Sequence, residues 1–304
     1  MFTTPILLLV FNRPQETQNV FNQIKKIKPQ QLFIAADGPR KNKIGEDKLC
    51  NQVKQIFKEI DWECKVTTLY NNDNLGCKLA VSSAIKWFFQ QVDYGIVLED
   101  DCLPDLSFFE YCEELLIKYK EDQRIGIITG RNENFAFKDS RSYDFSTAGS
   151  IWGWASWKRV MDLYDVNNVD LLSDFKYNIY QATLDNFEKR RLYHQLKWTL
   201  NGQLNTWDYQ FHSMLKLNSF QYIIPAKNLI KNIGFTNQAT HTTSLNDKRA
   251  NASLDSLAFP LQHPKYIFPN RHLSKEMVRA DSNNYFLFLF LIFRFWLKRK
   301  EAKV

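Results

Sequence analysis

Three uninterrupted apolar runs, each ending abruptly in polar chemistry, constrain this chain most. Residues 6–11 (ILLLVF) lead into Asn12-Arg13-Pro14, residues 32–36 (LFIAA) into Asp37-Gly38-Pro39, and residues 94–98 (YGIVL) into Glu99-Asp100-Asp101. A run without polar alternation buries both of its faces, as a strand does in a sheet covered by helices on both sides. Between the runs, apolar residues recur at helical spacing: Val20, Phe21, Ile24 and Ile27 after Pro14, then Val53, Ile56, Phe57 and Ile60, then the stretch 79–92. A further strand is expected near 66–70, a helix over 108–119 and a strand at 125–129 (IGIIT). Strands alternating with helices imply right-handed βαβ units and a mostly parallel sheet. The expected class is therefore α/β, with a mixed, mostly parallel sheet flanked by helices.

Beyond residue 140 the pattern fades. Residues 145–160 are rich in Trp, Gly and Ser, with Trp152, Trp154 and Trp157 close together, so they read as a loop whose indoles are either core or a platform for a ring. Helices are expected over 171–184, 187–200 and 208–217, with a strand at 222–224; residues 236–284 read as loop-rich. The five cysteines are an odd number with no C-x-x-C pair, which excludes a disulfide framework or a zinc knuckle and suits free thiols in a reducing compartment. No charged, apolar leader precedes residue 6, so no secretory signal is expected. The formal charge is +7, yet no zinc-finger, RRM or KH signature accompanies it, so nucleic acid is not an expected partner.

The triplet Glu99-Asp100-Asp101 holds the most chemistry. In open α/β sheets ligands bind at the carboxyl ends of the strands. Three consecutive acids there repel one another unless a cation compensates them. Mg²⁺ or Mn²⁺ suits carboxylate oxygen and could grip a diphosphate. The alternative is a solvated turn leading to a helix capped by Asp105. Asn12-Arg13 and Asp37-Gly38 end their strands at the same edge of the sheet. Asp37 alone also fits an ordinary turn carboxylate.

Taken together, these segments resemble the GT-A glycosyltransferases, most closely the N-acetylglucosaminyltransferase I-like group. The resemblance runs over residues 4–245: strand-Asn12-Arg13, strand-Asp37-Gly38, Lys78 in the helix before the fourth strand, and above all residues 96–116 (IVLEDDCLPDLSFFEYCEELL). The segment 149–154 (GSIWGW) is similar to the group's aromatic acceptor-side loop. Thr206-Trp207-Asp208 is similar to the segment carrying its base, and Gly234 with Thr240-His241 to its closing segment. The resemblance implies a UDP-sugar donor whose uracil and ribose end meets Arg13 and Asp37, and Asp101 as ligand of Mn²⁺ or Mg²⁺. It also implies Glu99 and Asp100 on sugar and ribose hydroxyls, with Lys78, Trp154 and His241 among the donor-site residues and Asp208 as general base. Read from the residues, Asp208 also fits an N-cap after Trp207, and His241 a hydrogen-bonded structural histidine.

Residues 285–297 (YFLFLFLIFRFWL) are almost wholly apolar and are followed by Lys298-Arg299-Lys300. Thirteen residues are short of the roughly 20 that span a bilayer. They suit a C-terminal amphipathic or apolar helix lying on an anionic membrane face, or packed on the domain. The expected organisation is a GT-A domain over 1–245, a loop-rich extension over 246–284 and a membrane-associating tail over 285–304. The expected function is an inverting, metal-dependent transferase moving a sugar, GlcNAc first, from a UDP-sugar to a glycan or lipid-linked acceptor. It would be cytoplasmic, peripheral on the inner membrane face. A nucleotide-sugar-binding protein without catalysis, or a membrane-active protein, are the alternatives.

Overall fold

The four N-terminal strands are β1 (Ile6–Val10), β2 (Gln31–Ala36), β3 (Lys65–Tyr70) and β4 (Tyr94–Glu99), connected by helices α1 (Pro14–Ile27), α2 (Glu46–Ile56) and α3 (Gly76–Phe89). The computed structural model describes residues 2–133, 135–179, 186–234 and 252–281. Every residue of β1 is buried, because it lies between β2 and β4 with helices above and below. In α1, Pro14 occupies the first turn, where its missing N–H costs nothing, and Val20, Phe21 and Ile24 form the buried stripe.

β5 (Cys102–Pro104) and α4 (Leu106–Lys118) follow the acidic triplet, and Asp105 does cap α4, accepting from the Ser107 N–H at 2.9 Å. The chain continues through β6 (Ile125–Thr129), β7 (Tyr143–Ser146), β8 (Trp154–Trp157), α5 (Lys158–Met161), α6 (Leu171–Asp174), α7 (Asn186–Leu200), α8 (Asp208–Leu217), β9 (Gln221–Pro225), β10 (Ile230–Asn232) and α9 (Arg271–Asp281). The main sheet has the order β3-β2-β1-β4-β8-β6-β9-β7. β8 runs antiparallel to β4 and β6, and β7 antiparallel to β9; the other six strands share one direction. β5 and β10 form a separate antiparallel pair. The α/β class with a mixed, mostly parallel sheet thus stands.

Strand order reverses at β1. β2 and β3 step outward on one side, then the chain returns to place β4 on the other. Right-handed crossovers put α3 on the face opposite α1, leaving a crevice where β1 and β4 end side by side. Leu9 pairs with Glu99 in this register, so the residues that follow both strands face one another.

Three expectations are corrected. The Trp-rich stretch is not a loop throughout: residues 154–157 form β8 and fill the gap between β4 and β6. Period-2 alternation sends Trp154 and Trp157 to opposite faces, where both are buried. Trp154 packs on Phe89, Trp207 and Phe211, with centroids 6.4, 6.2 and 5.4 Å away. Over 171–179 the single helix gives way to α6 followed by a π-type turn, Phe175–Ile179. Residues 271–281, expected as loop, are helical, with Leu273 and Met277 buried. The apolar–basic tail lies outside the described residues. Among the described residues no helix is long and apolar enough to cross a membrane.

Candidate active site

The crevice between β1 and β4 opens into a cavity of about 390 Å³, with two chemically distinct halves. One half is largely apolar, walled by Ala35, Ala36, Leu69, Ala80, Val81 and Ala84 from β2, β3 and α3. The other is acidic, walled by Glu99, Asp100 and Asp101 beyond β4.

Arg13 bridges the two. It follows β1, and its Nη1 lies 2.6 Å from Asp101 Oδ2 and 3.5 Å from Asp100 Oδ1. The Phe11 N–H also donates to Asp100 Oδ2 at 3.2 Å. One guanidinium does not neutralise three carboxylates. Burial, then the charges of Asp101 and Asp100, push the Glu99 carboxyl up to about 8. Burial and Asp101 push that of Asp100 up to about 7, against the opposing pull of Arg13. Such a site holds protons that the unfolded chain has released, so between about pH 4 and pH 8 the native state binds more protons and stability falls as pH rises. In EDTA the melting temperature should therefore drop from pH 5.5 to pH 8.5, and Glu99→Gln should flatten the decline. A melting temperature that rises over that range contradicts the unbalanced charge.

Asp101 is fixed from two sides. Its carbonyl accepts from the Ile233 N–H at 2.8 Å as the β5–β10 pair ends. Gly234 then passes so close that a Cβ there would collide with Asp101 Oδ2. A side chain at position 234 would push the carboxylate aside.

Asp37 lines the cavity, but its lone pairs are engaged elsewhere. Oδ1 accepts from the N–H groups of Gly38 and Leu75 and from Asn71 Nδ2; Oδ2 accepts from Asn74 Nδ2 and the Gly76 N–H, all at 2.9–3.2 Å. These bonds cap α3 and shape loop 71–76, where Gly76 takes φ +77°. Asp37 therefore anchors the cavity wall, and an oxygen of it that also met the base or ribose would share these donors.

Other expected site residues sort by position. Trp154 is 1% exposed and inside the core, so it does not reach the cavity; Trp152, two residues earlier, is in the wall. The guanidinium of the buried Arg131 covers one face of Trp152 at 4.3 Å. Lys78 lies in the first turn of α3, its N–H donating to Asn205 Oδ1 at 2.9 Å, and its side chain is not part of the wall. Asp208 opens α8 and accepts from Thr206 Oγ1 at 2.5 Å. It is near enough to the cavity for its charge to raise the Glu99 and Cys77 ionisations, the latter pushed mainly by burial to about 12. His241 lies outside the described residues.

Asn12, singled out with Arg13 as the end of the first strand, also lines the cavity, and so do Arg40, Asn205 and Asn232, which nothing in the sequence marks as ligand contacts. Isolated polar residues of this kind carry no periodicity or motif, so only their spatial convergence reveals them.

The donor set fits a hard divalent cation in one way. Among the described residues no group of three or more His, Cys, Asp or Glu side chains is arranged to hold a metal ion. Mg²⁺-type sites, however, use one or two carboxylates together with substrate phosphates and water. A clustered, under-neutralised carboxylate set at a cavity wall meets that requirement.

No protein-family profile matches the chain, and no curated protein matches it significantly. Similar solved structures include UDP-glucose pyrophosphorylase complexed with UDP-glucose, at 9% identity over 75% of this chain and 92% of that chain, with a TM-score of 0.38. Mouse xyloside xylosyltransferase 1 is similar at 10% identity over 73% and 84%, with a TM-score of 0.38. S. aureus TarS is similar at 9% identity over 64% and 71%, with a TM-score of 0.38. Likenesses this distant carry no argument about activity, which rests on the geometry of the cavity.

Proposed function

We propose that the protein is a glycosyltransferase that takes its sugar from a nucleotide-diphospho donor, a UDP-sugar with GlcNAc first among the candidates. The observation supporting this most is the two-part cavity at the strand-order reversal: an apolar slot for a base and ribose next to an acidic, cation-seeking wall for a diphosphate.

In this reading Asp101 would hold Mn²⁺ or Mg²⁺, Glu99 and Asp100 orient sugar and ribose hydroxyls, and Arg13 keeps the acidic wall in register. The bound metal would supply charge neutralisation for the departing diphosphate. An acceptor hydroxyl attacks the anomeric carbon in line. The new C–O bond forms as the bond to the diphosphate breaks, its electron pair leaves with UDP, and Asp208 accepts the hydroxyl proton, with inversion. Trp152, rather than Trp154, offers an aromatic wall for a sugar ring.

A panel of UDP-, GDP-, ADP- and CDP-sugars, incubated with and without Mn²⁺, tests this. Release of a nucleoside diphosphate only with the cation is the expected result. Donor binding without release under any condition would instead favour a binding protein without catalysis.

The acceptor is proposed to be a glycan or lipid-linked molecule at an anionic membrane face, reached through residues 285–304, whose apolar run and Lys298-Arg299-Lys300 suit an interface. Deletion after Asn284 should move the protein from the membrane to the soluble fraction; unchanged partitioning removes the tail from the membrane reading.

A further inference from the structure

At the base end of the cavity, with Asp37 engaged, a different pair of residues offers free hydrogen-bonding atoms. Glu46, on α2, is buried, and its carboxylate binds Arg40 through Nε at 3.0 and 3.1 Å and Nη2 at 2.5 Å, and accepts from the Arg40 N–H at 2.7 Å. The same Oε1 accepts from Asn12 Nδ2 at 2.9 Å. A carboxylate held below its ordinary range by Arg40 and Asn12 can only accept. The atom that Asn12 turns to it must therefore be its amide nitrogen, and Asn12 Oδ1 faces away.

The Arg40 fork is likewise spent on one side only. Nε and Nη2 are taken by Glu46, while Nη1 has no partner among the described residues, and the guanidinium lies 5.5 Å over the Phe11 ring. Arg40, Asn12 and Phe11 all line the cavity. Both side chains meet at Glu46 Oε1 and both line the cavity, which leaves one donor (Arg40 Nη1) and one acceptor (Asn12 Oδ1) without a protein partner among the described residues at this end of it.

We infer that Arg40 and Asn12 read the nucleobase, and that they take a base whose edge carries a carbonyl beside a ring N–H. The inference rests on the proposed nucleotide donor. A carbonyl accepts from Arg40 Nη1 while the adjacent N–H donates to Asn12 Oδ1. Uracil and guanine present that pair of groups. Adenine and cytosine present an amino group beside an unprotonated ring nitrogen, which sets donor against donor and acceptor against acceptor. A mismatch of that kind discriminates more strongly than a change of size where the bound base excludes water, because polar groups on both sides are then left unpaired.

The test is calorimetric titration of the whole protein with UDP, GDP, ADP and CDP in Mn²⁺, and with inorganic pyrophosphate as a base-free probe. UDP or GDP should bind at least about tenfold tighter than ADP and CDP, a difference of about 1.4 kcal/mol; which of the two binds tighter distinguishes the sources. Arg40→Lys keeps the charge beside Glu46 but loses the planar fork. It should remove the preference, weakening UDP or GDP about tenfold while leaving pyrophosphate within twofold. Asn12→Leu, which leaves the Arg40–Glu46 pair intact, should do the same and guards against misfolding of the first variant. Equal binding of all four diphosphates by the unaltered protein, or an unchanged preference in both variants, overturns the inference. If pyrophosphate binds but no nucleoside diphosphate does, the nucleotide-donor reading falls first and this inference with it.

Discussion

Replacing Asp101 by alanine should abolish metal-dependent release of UDP from a UDP-sugar, lowering kcat/KM by at least about a thousandfold. The size follows from the role: neutralising charge on a departing diphosphate is worth several kcal/mol, and each 1.36 kcal/mol is a factor of about ten. Asp101 is the acid best placed for it. The carboxyls of Glu99 and Asp100 are pushed up to about 8 and about 7. Asp101 holds the short contact to Arg13, and its backbone is clamped by Ile233. Asp101→Asn keeps the shape and should fail almost as completely, which separates lost charge from lost packing. Release by either variant at a rate near that of the unaltered protein would remove Asp101 from the metal site.

Asp208→Asn should lower turnover by about 10²–10⁴, the usual contribution of a positioned general base, while donor affinity stays within about twofold. Asparagine retains an oxygen for the Thr206 hydroxyl, so α8 should keep its start. Donor hydrolysis, with water in place of the acceptor hydroxyl, would provide the assay. Undiminished turnover would show that Asp208 serves only to begin the helix, and a base would have to be sought in the cavity wall itself.

How much of this was legible depended on where each residue's partners lie. β1, β2, β4 and β6 could be read because strands buried on both faces must be apolar throughout, a property local to the chain. β8 could not: WASW sits among Gly and Ser, and its strand state comes from the edges of β4 and β6, which lie well before it in sequence. α9 hid because RHLSKEMVRAD has few apolar positions, with only Leu273, Met277 and the partly buried Val278 packed on the core. At the site, the acidic triplet was visible because three charges after an apolar run have few uses. Asp37 could be read both as a ligand contact and as a turn carboxylate, since one that ligates and one that caps look alike until its five donors are located. Trp154 and Trp152 were exchanged for a related reason. Alternation on β8 decides which indole enters the core, and nothing local to the chain announces that strand.

The place of β8 in the sheet also dictates an order of assembly. Strands β1 to β4 need only the first 99 residues, within which β1 pairs with both β2 and β4. β4 obtains its second partner only when residues 154–157 arrive, and β6 obtains β9 only at residue 221. The acidic wall lies along this seam between an early half and a late half. During synthesis on a ribosome, the half that carries Glu99, Asp100 and Asp101 must wait with one sheet edge open until residue 157 has emerged. An open apolar edge beside repelling charges is a hazard for a growing chain, and the charges themselves discourage a second chain from pairing there. The same carboxylates that are proposed to serve catalysis in the finished protein thus guard the unfinished one beforehand.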